Sequence, residues 1–235
     1  MTPSKLHPRH LWADETGLTS LLLFTLGYFI VLNSIGEFGF GKLVAYIFFS
    51  LVIVAGVLTT FKKRWLGYVV IVLAAVSLAL NWAEEFRPGG GLAVLTNGIS
   101  LIYLVILLAL VIAQVFRDGP VTAHRIRGAI LIYLLLGVMW AFAYQVVALT
   151  IPQAFRLPEG LIAGDPDALR RELTYFSVVT LTTTGYGDIT AVHPVARTLV
   201  MLEIMVGQLY PAIVLAWLVS LAIMHRKEKP KNSQV

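Results

Sequence analysis

No cysteine occurs in the 235 residues. That absence removes disulfides, thiolate metal sites and thiol nucleophiles together, and leaves no covalent staple for any loop. Charge is scarce as well: Asp, Glu, Lys and Arg make up 13% of the chain, against 58% hydrophobic residues. With a mean hydropathy of +0.81, this balance lies outside the range of soluble globular domains, and the apolar runs occupy nearly the whole length. No separate soluble domain is expected. The histidines His7, His10, His124, His193 and His225 show no metal-ligand spacing, and no nucleophile motif accompanies them. The sequence is therefore not read as an enzyme, and no cofactor is expected. No small-residue cleavage pattern follows the first apolar run, which makes that run a retained helix.

What is present is a series of stretches able to cross a hydrocarbon layer of about 30 Å, which takes roughly 20 helical residues. They cover 18–35, 43–61, 65–83, 92–116, 128–150 and 195–224, and predict an all-α membrane protein with six transmembrane helices. An even number of crossings puts both termini on one side. The basic residues orient it. Lys5, Arg9, Lys62, Lys63, Arg64, Arg117, Arg125, Arg127, Arg226, Lys227, Lys229 and Lys231 fall on the side of the termini, whereas Lys42, Arg87, Arg156, Arg170, Arg171 and Arg197 fall opposite with most of the acids. The positive-inside rule then places both termini in the cytoplasm of a multi-pass cell-membrane protein. The formal charge of +5 is thereby explained as a topology signal, and nucleic acid is not an expected partner. Contact of the basic tail with anionic lipid is an open alternative use of the same charges.

Between the fifth and sixth spans lies the one long segment that does not cross, 151–194. Asp165 followed by Pro166 is a helix start, an N-cap with proline at the first helical position, and LTYFSVVTL follows. That apolar stretch is too short to span. It leads into TLTTTGYGDIT at 180–190, a polar, glycine-containing island between two very apolar helices. A half-helix ending in such a loop is a re-entrant element, tolerated in a membrane only where its backbone is buried in protein or lines water.

TLTTTGYGD resembles the selectivity-filter signature of potassium channels, usually written TVGYGD, with a short pore helix before it and an outer and an inner helix around it. The resemblance is close over 173–188, fair over the last two spans and architectural over the first four, whose layout is that of the voltage-gated superfamily. In that family backbone carbonyls replace the hydration shell of the ion; ion selectivity by four such loops is a known mechanism, applied here by resemblance. Successive carbonyls can face inward only if some residues take left-handed angles, which are cheap for glycine. The resemblance assigns that task to Gly185 and Gly187, the innermost potassium site to the hydroxyl and carbonyl of Thr183, and the sites above it to the carbonyls of Thr184, Gly185 and Tyr186. It implies that Tyr186 points away from the ion and packs behind the filter. Asp188, Tyr175 and Phe176 are implied as filter support. Tyr175 and Phe176 stand where relatives often have two tryptophans, and Phe176 has no hydrogen-bond donor, so its support must come from packing. Thr184 replaces the usual valine and brings a hydroxyl that needs a partner if buried. One filter per chain implies a homotetramer in the lipid bilayer, with potassium as permeant ligand.

The last span carries the gating candidates. Gly207 lies 22 residues after Gly185, the hinge-glycine spacing of simple potassium channels, and Pro211 one turn on removes a backbone hydrogen bond. The alternative for Gly207 is close helix packing. Glu203, the sole acid inside a span, has two readings: a functional carboxylate bracing the filter from behind or sensing protons, and a neutral, hydrogen-bonded structural residue. Gln208 is a candidate to face the cavity, with the rotation of its helix left open by the sequence. The fourth span, 92–116, contains no lysine or arginine. A voltage sensor needs several, each contributing about 2.3 kcal/mol per 100 mV, so this helix is not expected to sense voltage. Its Asn97, Ser100 and Gln114 read as interhelical hydrogen bonds, and Glu84, Glu85 and Arg87 as a solvated rim.

The division that follows is a cytoplasmic segment 1–17, a sensor-like four-helix domain without gating arginines at 18–116, a cytoplasmic linker 117–127, a pore domain 128–224 and a short cytoplasmic tail 225–235 with no ligand-sensing domain. The leading expectation is a homotetrameric potassium-selective channel. The alternatives are a weakly selective cation channel, prompted by Thr184 and the changed aromatic pair, and a non-conducting subunit that keeps the pore fold.

Overall fold

The computed structural model describes residues 8–34, 39–60, 64–86, 90–116, 122–158 and 166–228. Among them the helices are α1 (Pro8–Ser34), α2 (Gly39–Thr60), α3 (Arg64–Phe86), α4 (Gly90–Val115), α5 (Ala123–Thr150), α6 (Pro166–Leu181) and α7 (Pro194–Glu228), with two short strands, β1 (Phe155–Arg156) and β2 (Thr190–Ala191). All of these helices except α6 are long and apolar enough to cross a membrane. The chain is an all-α, multi-pass membrane protein.

Two boundaries differ most from the sequence reading. Helix α1 starts at Pro8 rather than at 18, because proline suits a first helical position and nothing in the next ten residues breaks a helix. Helix α5 starts at Ala123, after Thr122 with extended backbone (φ −117°), so the end of the expected linker is helical. It is also docked. Arg125 lies 5.7 Å above the Trp217 ring of α7, Phe116 meets the same ring at 4.6 Å, and Arg127 donates to Thr19 Oγ1 of α1 at 2.8 Å.

The first four helices are joined by rings and by polar side chains that find partners across helices, as membrane bundles require. Tyr28, Phe49 and Phe142 form a continuous row from α1 through α2 to α5, with centroids 5.5 and 5.1 Å apart. Tyr103 of α4 donates to the Ile53 carbonyl of α2 at 2.7 Å, and Trp82 of α3 donates to Ser50 of α2 at 3.2 Å. Ser100 makes the interhelical bond expected of it, with Ser77 Oγ at 2.8 Å and Asn81 Nδ2 at 3.1 Å. Asn97 instead turns back on its own helix and donates to the Ala93 carbonyl at 2.8 Å.

Glu84 is not on a solvated rim. It is 2% exposed, 3.6 Å from Arg170 of α6, which is also buried. The Arg170 guanidinium lies 5.1 Å from the Tyr46 ring centroid, the Tyr46 hydroxyl donates to Asp167 at 3.1 Å, and Lys42 pairs with Asp167 at 3.1 Å. The start of α6 is thus held by side chains of α2 and α3. Burial makes this pairing matter, since breaking a buried ion pair leaves a charge in low dielectric. Arg170→Met is expected to lower stability by about 3 kcal/mol, and Arg170→Met with Glu84→Gln to regain part of that loss. Thermal unfolding in detergent micelles checks both, and a single variant as stable as the wild type would show that the pair does not hold α6.

Candidate functional site: the re-entrant loop

Asp165 lies outside the described residues, so its expected N-cap role is not described. Pro166 does open α6, and Asp167 sits in its first turn, where a carboxylate favours the positive end of the helix dipole. The other end of α6 is closed by its own chain. Thr183 N–H donates to the Thr180 carbonyl at 2.9 Å and Thr184 N–H to the Val179 carbonyl at 2.9 Å, while Thr183 has φ 57°. This pairing with one left-handed residue is a Schellman motif, whose left-handed position is usually glycine. Tyr133 of α5 donates to the Leu181 carbonyl at 3.1 Å. The last carbonyls of α6 are therefore satisfied within the protein, as a helix ending inside a membrane demands.

Beyond that turn the backbone alternates. Thr183, Gly185 and Gly187 have φ 57°, 61° and 80°, whereas Thr184 and Tyr186 between them are not in the left-handed region. Alternating hands brings successive carbonyls toward one side, which a strand or a helix cannot do. The sequence reading attributed this to the glycines alone; Thr183 takes part and bears strain of about 1–2 kcal/mol. The Thr184 hydroxyl has a partner, Thr182 Oγ1 at 2.9 Å, and Thr182 in turn donates to the Val178 carbonyl at 2.7 Å.

Phe176 is packed by rings, as its lack of a donor required: Tyr144 lies 5.2 Å and Phe155 5.7 Å away, centroid to centroid. Tyr175 donates to Asp188 Oδ2 at 2.8 Å, and that bond is the main cause that pushes its hydroxyl up to about 12. A proton held in the folded state above its ordinary pKa means that this contact persists until the pH rises past that value. Asp188 Oδ1 also accepts from Ile189 N–H at 3.0 Å, which turns the chain out of the loop. Tyr186 is 71% exposed in the single chain. Beyond the loop, β2 pairs antiparallel with β1, Phe155 opposite Ala191 and Arg156 opposite Thr190. Val192 N–H donates to the Ala154 carbonyl at 2.9 Å, so the segment after α5 ties down the far end of the loop.

Glu203 of α7 is fully buried and touches both flanking helices. Tyr144 of α5 donates to its Oε2, and Ser177 of α6 lies 2.6 Å from its Oε1 and 2.8 Å from the Gly137 carbonyl. Gly207 lies against the end of α6, where a Cβ would collide with the Leu181 carbonyl. Pro211 lies inside an unbroken α7, beside Tyr210, which donates to the Ala129 carbonyl at 2.8 Å. Gln208 reaches the loop itself, its Nε2 donating to Thr183 Oγ1 at 2.5 Å. Sequence reasoning had not singled out Tyr144, Ser177 or Thr182. A serine in an apolar half-helix facing a buried acid was the available signal for Ser177; nothing marked Tyr144 among the many aromatics.

No curated protein and no solved structure matches the chain. Residues 171–223, which run from the first turns of α6 through the loop and along α7, match the family model described as an ion channel. Helix α6, the loop and most of α7 are thus similar to an ion-channel domain, set within a multi-pass helical membrane protein.

Proposed function

We propose that the protein is a potassium-selective channel, a homotetramer in the cell membrane with both termini cytoplasmic. The observation that carries this reading is the alternation of hand at Thr183, Gly185 and Gly187 within TTGYGD. It offers the carbonyls of Thr183, Thr184, Gly185 and Tyr186 as the uncharged oxygens a dehydrated potassium ion requires. Four chains around one axis complete such a cage, and a neighbouring chain gives the exposed Tyr186 a surface to pack on. Conduction is passive, and α4, which has no lysine or arginine, does not sense voltage. Arg226 and Lys227 near the end of α7 suit anionic lipid on the cytoplasmic side. Gly207 and Pro211 remain the proposed points of motion in α7.

Glu203 acts in this reading as a neutral brace behind the filter. One hydroxyl carries one proton, yet Ser177 Oγ lies within hydrogen-bond distance of both the Gly137 carbonyl and Glu203 Oε1. Both contacts are satisfied when Ser177 donates to Gly137 and a protonated Glu203 donates to Ser177, while Tyr144 donates to the other carboxyl oxygen. A buried acid inside a span then bears no charge, and avoids the cost of one.

Reconstituted into liposomes, the purified protein is expected to pass potassium in strong preference to sodium, and Gly185→Ala to abolish the preference by straining the left-handed position. Equal fluxes of the two ions would favour a weakly selective cation channel, and no flux a non-conducting subunit. Glu203→Gln, whose amide can donate to Ser177 and accept from Tyr144, is expected to keep both stability and flux. Glu203→Leu, which leaves two buried hydroxyls without it, should lose about 2–5 kcal/mol and most of the flux. If Gln and Leu proved equally harmful, a charged Glu203 would be the better account.

A further inference from the structure

Gln208 and Thr183 meet for reasons that lie in the backbone on both sides. Thr183 occupies the left-handed position of the turn that ends α6, where glycine would be less strained but could offer no side chain. Gln208 follows Gly207, whose missing Cβ lets α7 lie on the Leu181 carbonyl. That close approach brings the next side chain of α7 within reach of the turn. A carboxamide is planar, and its oxygen and nitrogen diverge from one carbon, so both can be engaged at once by different partners. With Nε2 on Thr183 Oγ1 at 2.5 Å, Oε1 is the amide atom left for a further partner. The residue is exposed in the single chain and lies beside the innermost filter residue of the proposed channel.

We propose that Gln208 contributes a further cation-coordinating oxygen just below the filter. The proposal rests on the fourfold potassium-channel reading. In a ring of four chains, four amide oxygens form a tier next to the Thr183 hydroxyls, uncharged like the filter carbonyls and suited to a hard cation losing its water. The ligand class is an alkali cation of potassium's size, for which barium, divalent and of similar radius, serves as a tightly held probe. The amide has two tasks here: its nitrogen orients Thr183 and its oxygen receives the ion.

The test uses the full chain in liposomes, with potassium flux titrated by barium added on the side of the carboxyl end of α7. Gln208→Met keeps the length and removes both polar atoms; Gln208→Glu keeps oxygens and removes the N–H donor. Half-blocking barium is expected to rise by about tenfold or more in Gln208→Met, and to stay or fall in Gln208→Glu. Elution as the wild-type oligomer and an unchanged melting transition show that a variant is folded; Gln208→Leu stands in for Gln208→Met should the latter fail there. Barium block unchanged in the apolar variant would overturn the proposal. So would equal weakening in Met and Glu, which would reduce Gln208 to holding Thr183. A wild-type protein without potassium-selective flux would instead overturn the channel reading beneath it, so the two failures are told apart.

Discussion

Every peptide group placed inside a hydrocarbon layer has to find its partner within the protein or in enclosed water, and the segment after α6 is where this chain meets that constraint most sharply. A helix that stops part-way leaves its last carbonyls open. Here the Schellman turn takes up those of Val179 and Thr180, and Tyr133 takes that of Leu181. The chain that emerges has spent its helix-ending bonds and is free to alternate its hand. Thr183 is the hinge of this arrangement, since it both closes the helix and begins the alternating stretch. Its strain is borne because the bonds on either side determine its angles together.

The rest of the domain is arranged to keep that turn in place. On one side α5 and α7 approach it through polar side chains: Glu203 of α7 meets Ser177 of α6 and is itself held by Tyr144 of α5, and Gln208 of α7 meets Thr183 of the loop. On the other side α2 and α3 hold the start of α6 through Arg170, Asp167 and Glu84. A half-helix of 16 residues has little apolar area of its own with which to fix its position. Polar contacts at both ends do what area does for the longer helices, and they define direction more sharply than apolar packing.

Length and apolarity alone located the crossing helices, because a span requires a run of residues that little else produces. The loop was legible for a different reason: the glycine spacing in TTGYGD has few other uses between two apolar helices. Less visible was whatever depends on helix rotation. Helix α7 is apolar nearly all round, so no stripe marks the face that carries Gln208 to Thr183. Glu84 read as a rim residue because Glu85 and Arg87 follow it; its partner lies far along the chain, and pairing at that separation leaves no periodic trace. Thr183 was missed as a left-handed residue because a β-branched side chain is a poor signal for that conformation.

The same contacts bear on what the first four helices contribute to the proposed channel. Motion in a membrane field needs charge that can be displaced, and α4 carries none, while its serine and tyrosine bond to α3 and α2. Among the described residues the buried charged group of this half, Glu84, sits opposite Arg170 of the half-helix rather than along a track. At the other end of the bundle Arg127 is bonded to α1, and Arg125 lies over Trp217 of α7. A unit joined at both ends to the helices around the loop, with no charge in its fourth helix, would in the proposed channel hold α6 at a set angle. Shifting it would first require pulling Arg170 from the aromatic and acidic groups around it, which is costly in low dielectric. In the proposed channel the sensor-like bundle would serve as a buttress, and the proposed points of motion would lie in α7, where Gly207 and Pro211 are little more than a turn apart.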